Sequence, residues 1–219
     1  TKWLNSIKVL TQNNMISIVI PVKFNDQDID HCLRAILKST IKSLEIIIVL
    51  DGWNRTFNEI PKTIDLIILE AENKGPAYCR NLGAMKAKYD LICFIDSDVE
   101  IYENALEITL NTIAARSLDG AIGSYDDSPT SQKTVSLFRN LLHHYHHKQN
   151  DKCMGVFWGA FGLIKKDAFK KVNGFDESSV PNFFDSSYSV VKGFTDELMH
   201  LLDSNTLNLR IRMPITDCN

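Results

Sequence analysis

The chain has 219 residues, 44% of them hydrophobic and 23% charged, with a formal net charge of −3. This is ordinary globular composition, which excludes a disordered, collagen-like or coiled-coil chain. The length buries roughly 70% of the unfolded surface, enough for one sizeable core and too little for two full nucleotide-binding domains side by side.

Residues Ile16–Val22 form a short apolar run rich in β-branched residues, the pattern of a strand buried on both faces. Ile29, Cys32, Leu33, Ile36 and Leu37 follow at helical spacing on one face. Leu44–Leu50 is a second buried strand, stopped by Asp51 and Gly52, and Ile64–Leu69 a third. Pro76–Lys88 reads as a helix, with Pro76 suited to its first turn. Leu91–Ile95 is a fourth strand and runs into Asp96, Ser97 and Asp98. Leu106, Leu110, Ile113 and Ala114 mark another helix, and Ala121–Tyr125 a fifth strand.

The second half is less regular. Val135–Lys148 reads as a helix with Phe138, Leu141, Leu142 and Tyr145 on one face, and Phe157–Ile164 as a glycine-interrupted strand. Asp167–Val172 is a short helix, Ser178–Val191 a loop, Thr195–Leu202 a helix and Leu207–Ile215 a closing strand. Apolar strands alternating with amphipathic helices imply βαβ units, a mostly parallel sheet and an α/β fold. Ligands of such sheets bind outside the carboxyl ends of the strands, which here carry Val22–Lys23, Asp51–Gly52 and Asp96–Asp98.

Composition narrows the partners. With 27 Asp+Glu against 24 Lys+Arg and no basic block, a nucleic-acid backbone is not an expected ligand. No apolar run approaches the ~20 residues of a membrane helix. Residues 1–14 lack the apolar stretch and small-residue cleavage site of a signal peptide. Of five widely spaced cysteines, Cys32, Cys79 and Cys93 sit in apolar segments while Cys153 and Cys218 do not. The odd number without a CxxC reads as core thiols in a reducing cytoplasm.

Several groups carry candidate chemistry, each beside a plainer alternative. Asp96 and Asp98, one residue apart after a buried strand, suit a hard divalent cation that keeps positions open for phosphate oxygens; the alternative is a solvated turn with Asp98 capping the next helix. A haloacid-dehalogenase-type phosphatase also carries two aspartates after a strand, but with Thr or Val where Glu100 stands, and near the start of the chain. Asp51 can accept a hydrogen bond from a nucleobase imide, or serve as a turn residue. Arg80, one turn into a Gly-Pro helix start, can meet a phosphate or face solvent. His143 and His147 are spaced to share a transition metal, or form part of a polar helix face. Asp196 and Glu197 open a helix, where acids suit the dipole, and a carboxylate there can also take a proton from a sugar hydroxyl.

In order and spacing, these segments resemble a family 2 glycosyltransferase of GT-A fold. The motifs are ISIVIPVK (16–23), EIIIVLDG (45–52), ENKGPA (72–77), RNLG (80–83), LICFIDSD (91–98), GA (159–160), KKDAF (165–169) and VNGFDE (172–177). The resemblance implies one catalytic domain over 1–219: a nucleotide-sugar half to about residue 125 and a smaller mixed acceptor-side half from about 126. It implies that Pro21 and Val22 meet the nucleotide, Asp51 the base and Arg80 the diphosphate, with Asp96 and Ser97 near the ribose. Asp96 and Asp98 would hold Mn2+ or Mg2+, and Asp196, or Glu197 beside it, would be the base. The implied reaction is metal-dependent and inverting, from a nucleoside-diphosphate sugar, UDP-type, to the hydroxyl of a glycan, lipid-linked or small-molecule acceptor, at the cytoplasmic face of a membrane or free of it. Departures are Val22 for a usual Thr, Leu50 for the first of an Asp pair, Thr195 for a usual Glu, and no late His after the last strand. A nucleotidyltransferase and a non-catalytic nucleotide-sugar-binding homologue are the alternatives.

Overall fold

A computed structural model describes residues 15–23, 28–53, 55–57, 60–125, 138, 141, 157, 159–178 and 210–212. In chain order the elements are β1 (Ile16–Lys23), α1 (Ile29–Lys38), β2 (Leu44–Asp51), β3 (Asp65–Ala71), α2 (Pro76–Lys86), β4 (Leu91–Ile95), β5 (Glu100–Ile101), α3 (Ala105–Arg116), β6 (Gly120–Ile122), β7 (Ser124–Tyr125), β8 (Phe161–Lys165), α4 (Lys166–Lys171) and β9 (Arg210–Arg212).

The main sheet runs β3-β2-β1-β4-β8-β6. β1 pairs in parallel with β2 from Ile16 opposite Leu44 to Lys23 opposite Asp51, and with β4 on its other side. β3 lies parallel to β2 at the edge, and β8 runs antiparallel to both β4 and β6. The α/β class and the mostly parallel sheet therefore stand as expected. The first four strands lie within a residue or two of their predicted bounds.

Period-two alternation sends neighbouring side chains of β1 to two different cores. Ile16, Ile18, Ile20 and Val22 pack with Ile29, Cys32, Leu33 and Ile36 of α1 and with Leu106, Leu110 and Ile113 of α3. Val19 faces the other layer with Ile47, Val49, Ile92 and Phe94, against Cys79 and Ala84 of α2 and the rings of Phe157, Phe169 and Phe175. Burial on both faces is why β1 and β2 read as unbroken apolar runs. Helix α2 lies tight on β1: a Cβ on Gly83 would stand 2.3 Å from Val19 Cγ1.

At the opposite edge from the strands' carboxyl ends, fully buried Glu45 accepts hydrogen bonds from the Ser17 hydroxyl and, at 2.7 Å, from the Lys88 amide. The Ser17 oxygen in turn accepts the Tyr89 amide at 3.1 Å. This network ties the starts of β1 and β2 to the connection entering β4.

Two expectations need correction. Ala121–Tyr125 is not one strand. β6 pairs with β8, the Gly123 amide bonds the Phe161 carbonyl at 2.9 Å, and β7 then leaves to pair with β9 in a small sheet ordered β5-β9-β7. The predicted Phe157–Ile164 strand begins only at Phe161, because Gly159 and Ala160 form a turn whose Ala160 carbonyl accepts the Asp96 amide at 3.1 Å. Of the helix predicted over 135–148, only Phe138 and Leu141 are described; both are helical and exposed. The segments predicted over 178–191 and 195–202 lie outside the described residues, apart from Ser178.

Candidate functional site

β1 sits between β2, which follows it, and β4, which returns on its other side, so the strand order reverses at β1. The carboxyl ends at this switch point bring together Lys23, Asp51 and Asp96. Pro21 and Val22 are buried within β1, Val22 in the core under α1, and the first exposed residue of that strand's end is Lys23. Lys23 is therefore a cation that this end of the sheet presents. The sequence marked it only as a strand terminus.

Asp51 closes β2 and is itself engaged. Its Oδ1 accepts the Lys74 amide and its Oδ2 the Gly75 amide, each at 2.8 Å. The carboxylate thereby fixes the loop that enters α2, where Gly75 holds φ at +87° and Pro76 opens the helix. Each oxygen still has a second acceptor direction, so this geometry is compatible with an imide N–H donor from a base.

Asp96 is fixed through backbone and side chain alike. Its amide bonds Ala160, and its carbonyl accepts the Val99 amide at 3.0 Å and the Cys32 thiol at 3.5 Å. Its Oδ1 accepts Nη2 of Arg80. Arg80 comes from one turn into α2, as expected, but its side chain is 1% exposed, whereas that of Asp96 is 16% exposed. A group entering from solvent therefore meets the carboxylate rather than the guanidinium. Ser97 is buried and Asp98 half-buried in the turn between β4 and β5.

Among the described residues, no group of three or more His, Cys, Asp or Glu is placed to hold a metal ion. Asp96 and Asp98 offer oxygen ligands from one turn, and one oxygen of Asp96 is already bonded to Arg80. That donor set fits a Mg2+ or Mn2+ ion that draws its remaining ligands from phosphate and water, and does not fit a closed all-protein cage. Asp196, Glu197 and the His143–His147 group lie outside the described residues.

The predicted core thiols are where expected: Cys32, Cys79 and Cys93 are buried, and none of the three is in a disulfide. Burial, reinforced by the charge of Asp51, pushes the Cys79 thiol up to about 12. Burial alone raises that of Cys93. Among the described residues, no helix is long and apolar enough to cross a membrane.

The family model of glycosyl transferase family 2 matches residues 17–172. Glycosyltransferase GlyG of Streptococcus pneumoniae is 32% identical over 119 residues, which are 52% of this chain and 40% of that protein. Uncharacterized protein L780 of Acanthamoeba polyphaga mimivirus is 74% identical over 43 residues, 20% of this chain and 15% of that one. The chain thus spans less than half the length of these relatives. Among solved structures, S. aureus TarS 1-349 in complex with UDP-GlcNAc matches with a TM-score of 0.56 at 16% identity, over 74% of this chain and 48% of that one. The mannosyltransferase PcManGT of Pyrobaculum calidifontis, in complex with GDP-Man and Mn2+, matches with a TM-score of 0.56 at 16% identity, over 87% and 61%. At such identity the likeness is one of fold.

Proposed function

The chain belongs to glycosyl transferase family 2, and on that premise we propose that it transfers a sugar from a nucleoside-diphosphate sugar to an acceptor hydroxyl. The observation that carries this reading is the Asp96–Asp98 turn at the end of β4, set beside Asp51 and Lys23 at the switch point of the sheet. Asp51 accepts the imide N–H of a uracil or thymine base, which favours a UDP-type donor. Lys23 meets the diphosphate electrostatically. Asp96, held by Arg80, accepts from the ribose hydroxyls, with the buried Ser97 beside it, while Pro21 and Val22 shape the nucleotide floor through their backbone. Asp98, with the outer oxygen of Asp96, would hold Mn2+ or Mg2+, an ion that neutralises the leaving diphosphate when bound.

Asp196, or Glu197 next to it, takes the proton of the acceptor hydroxyl, which attacks the anomeric carbon in line and inverts it. The acceptor is a glycan, a lipid-linked saccharide or a small molecule, reached in the cytoplasm or at the cytoplasmic face of a membrane. GlyG supports a sugar-transfer role by its name. The two structural neighbours support nucleotide-sugar donors, and PcManGT a manganese ion, by the complexes they form.

Calorimetric titration with UDP, GDP and dTDP, with and without Mn2+, tests the donor site. UDP binding strengthened by Mn2+ is the expected result. Asp98→Ala should keep the fold, measured by circular dichroism, and lose metal-dependent transfer. Full activity in that variant would refute the assignment.

A further inference from the structure

Arg80 is the largest fully buried side chain with a charge among the described residues. An arginine there costs free energy unless its charge and its flat faces are matched. Asp96 matches the charge. Two other groups match the shape. A Cβ on Gly159 would lie 2.7 Å from both Cζ and Nε of Arg80 and 3.0 Å from Nη2, so the guanidinium rests directly on the backbone of the turn before β8. The ring of Phe175 has its centroid 5.4 Å from Arg80 Cζ, within cation–π range.

Phe175 is in turn gripped by the next residue of α2. Asn81 Nδ2 donates to the Phe175 carbonyl at 2.9 Å, and the Phe175 amide donates to Asn81 Oδ1 at 2.8 Å. Arg80 and Asn81 together therefore hold the ring and the backbone of one residue in the 172–177 segment, which the family resemblance puts on the acceptor side. From this geometry we infer that Gly159 and Phe175 are positioning residues: they hold Arg80 in the one orientation that keeps Asp96 aimed at the donor, so that the 172–177 segment sets donor affinity. The inference rests on the reading of Asp96 as a donor-binding carboxylate.

The coupling follows from packing. Gly159→Ala places a methyl group where the guanidinium lies. The guanidinium must then shift away from the turn, which pulls on its bond to Asp96 Oδ1. Phe175→Leu removes the aromatic face but keeps an apolar side chain in the cluster. Phe169 is the control. Its ring stands 5.2 Å from that of Phe94 and 5.5 Å from that of Phe175, within the same cluster. Phe169→Leu thus perturbs the same core from another position.

The test is UDP affinity in the presence of Mn2+, by calorimetry, with melting temperatures recorded for each variant. Phe175→Leu and Gly159→Ala should weaken UDP roughly tenfold, and Phe169→Leu, at a similar loss of melting temperature, should leave it within about twofold. In an Asp96→Asn background the effect of Phe175→Leu should vanish, because the carboxylate through which it acts is gone. Equal UDP affinities for Phe175→Leu and Phe169→Leu, or an undiminished Phe175→Leu effect in the Asp96→Asn background, would overturn the inference while the donor site stands. A wild-type chain that binds none of UDP, GDP and dTDP, with or without Mn2+, would overturn the donor-site reading and the inference together.

Discussion

Replacing Asp51 separates its part in the fold from the part in base recognition proposed for it. Asp51→Ala removes two hydrogen bonds of 2.8 Å from a charged acceptor, to the exposed Lys74 amide and the part-buried Gly75 amide. Bonds to charged groups contribute roughly 1.5–3 kcal/mol when shielded, and the exposed member far less, so the pair is worth about 2 kcal/mol. The loop they hold also carries Asn73 at φ +53° and Gly75 at φ +87°, a local shape that gains little from regular backbone pairing. For a chain of this length, the loss should lower the melting temperature by roughly 4–8 °C. Asp51→Asn keeps one carbonyl oxygen and should show about half the effect. Urea unfolding of both variants, with no nucleotide present, isolates the structural share; UDP titration then reads the ligand share. An alanine variant within about 0.5 kcal/mol of wild type would refute the loop-fixing argument.

Gly83→Ala drives a methyl group into Val19 and should cost roughly 1–3 kcal/mol in urea unfolding, with no change in the nucleotide preference. Ser17→Ala strips a donor from Glu45 and an acceptor from the Tyr89 amide, both shielded, and should cost roughly 1–3 kcal/mol by the same measurement. The Cys79 thiol titrates at about 12 in the folded protein and near 9.0 when exposed. Above the lower value the unfolded chain releases a proton that the folded chain retains, so stability should fall as pH rises from 9 toward 12. Cys79→Ala should lessen that decline and leave the share of Cys93, whose thiol burial also raises. In the native protein at neutral pH, Cys79 and Cys93 should resist alkylation that proceeds after unfolding.

The strands that build the site were legible because a parallel sheet buries both faces. The apolar runs of β1, β2 and β4 left no competing period, and the polar residues that ended them had to stand at the sheet's carboxyl edge. Asp51 and Asp96 could therefore be found from topology. Ala121–Tyr125 was not legible as two strands, because five residues of mixed apolar character do not record a change of pairing partner at Gly123. The position of Arg80 one turn into α2 is legible in the sequence, but its setting is not. An arginine one turn into a helix usually points to water. Its burial is decided by Asp96, Gly159 and Phe175, which lie 16, 79 and 95 positions further along the chain. The glycine at 159, inside the predicted Phe157–Ile164 strand, is the sequence signal for that close approach.

The placement of α2 explains why motifs so far apart in sequence belong together. Its entry is fixed by Asp51, its floor by the close approach of Gly83 to Val19, and its outer turn by the grip of Asn81 on Phe175. With entry, floor and outer turn all held, the helix has little freedom to slide or rotate, and Arg80 inherits that rigidity. Asp96 is correspondingly bonded from α1 through Cys32, from the turn before β8 through Ala160, and from α2 through Arg80. On the proposed donor reading, a carboxylate so held would meet a ribose or cation without first losing rotamer entropy, which is the condition for precise binding at a strand terminus. Substitutions at Gly83 and Gly159 should therefore differ in kind. The first loosens the helix from the sheet and shows mainly as lost stability, whereas the second, which also costs stability, pushes Arg80 away from Asp96 and on the proposed donor reading weakens nucleotide binding.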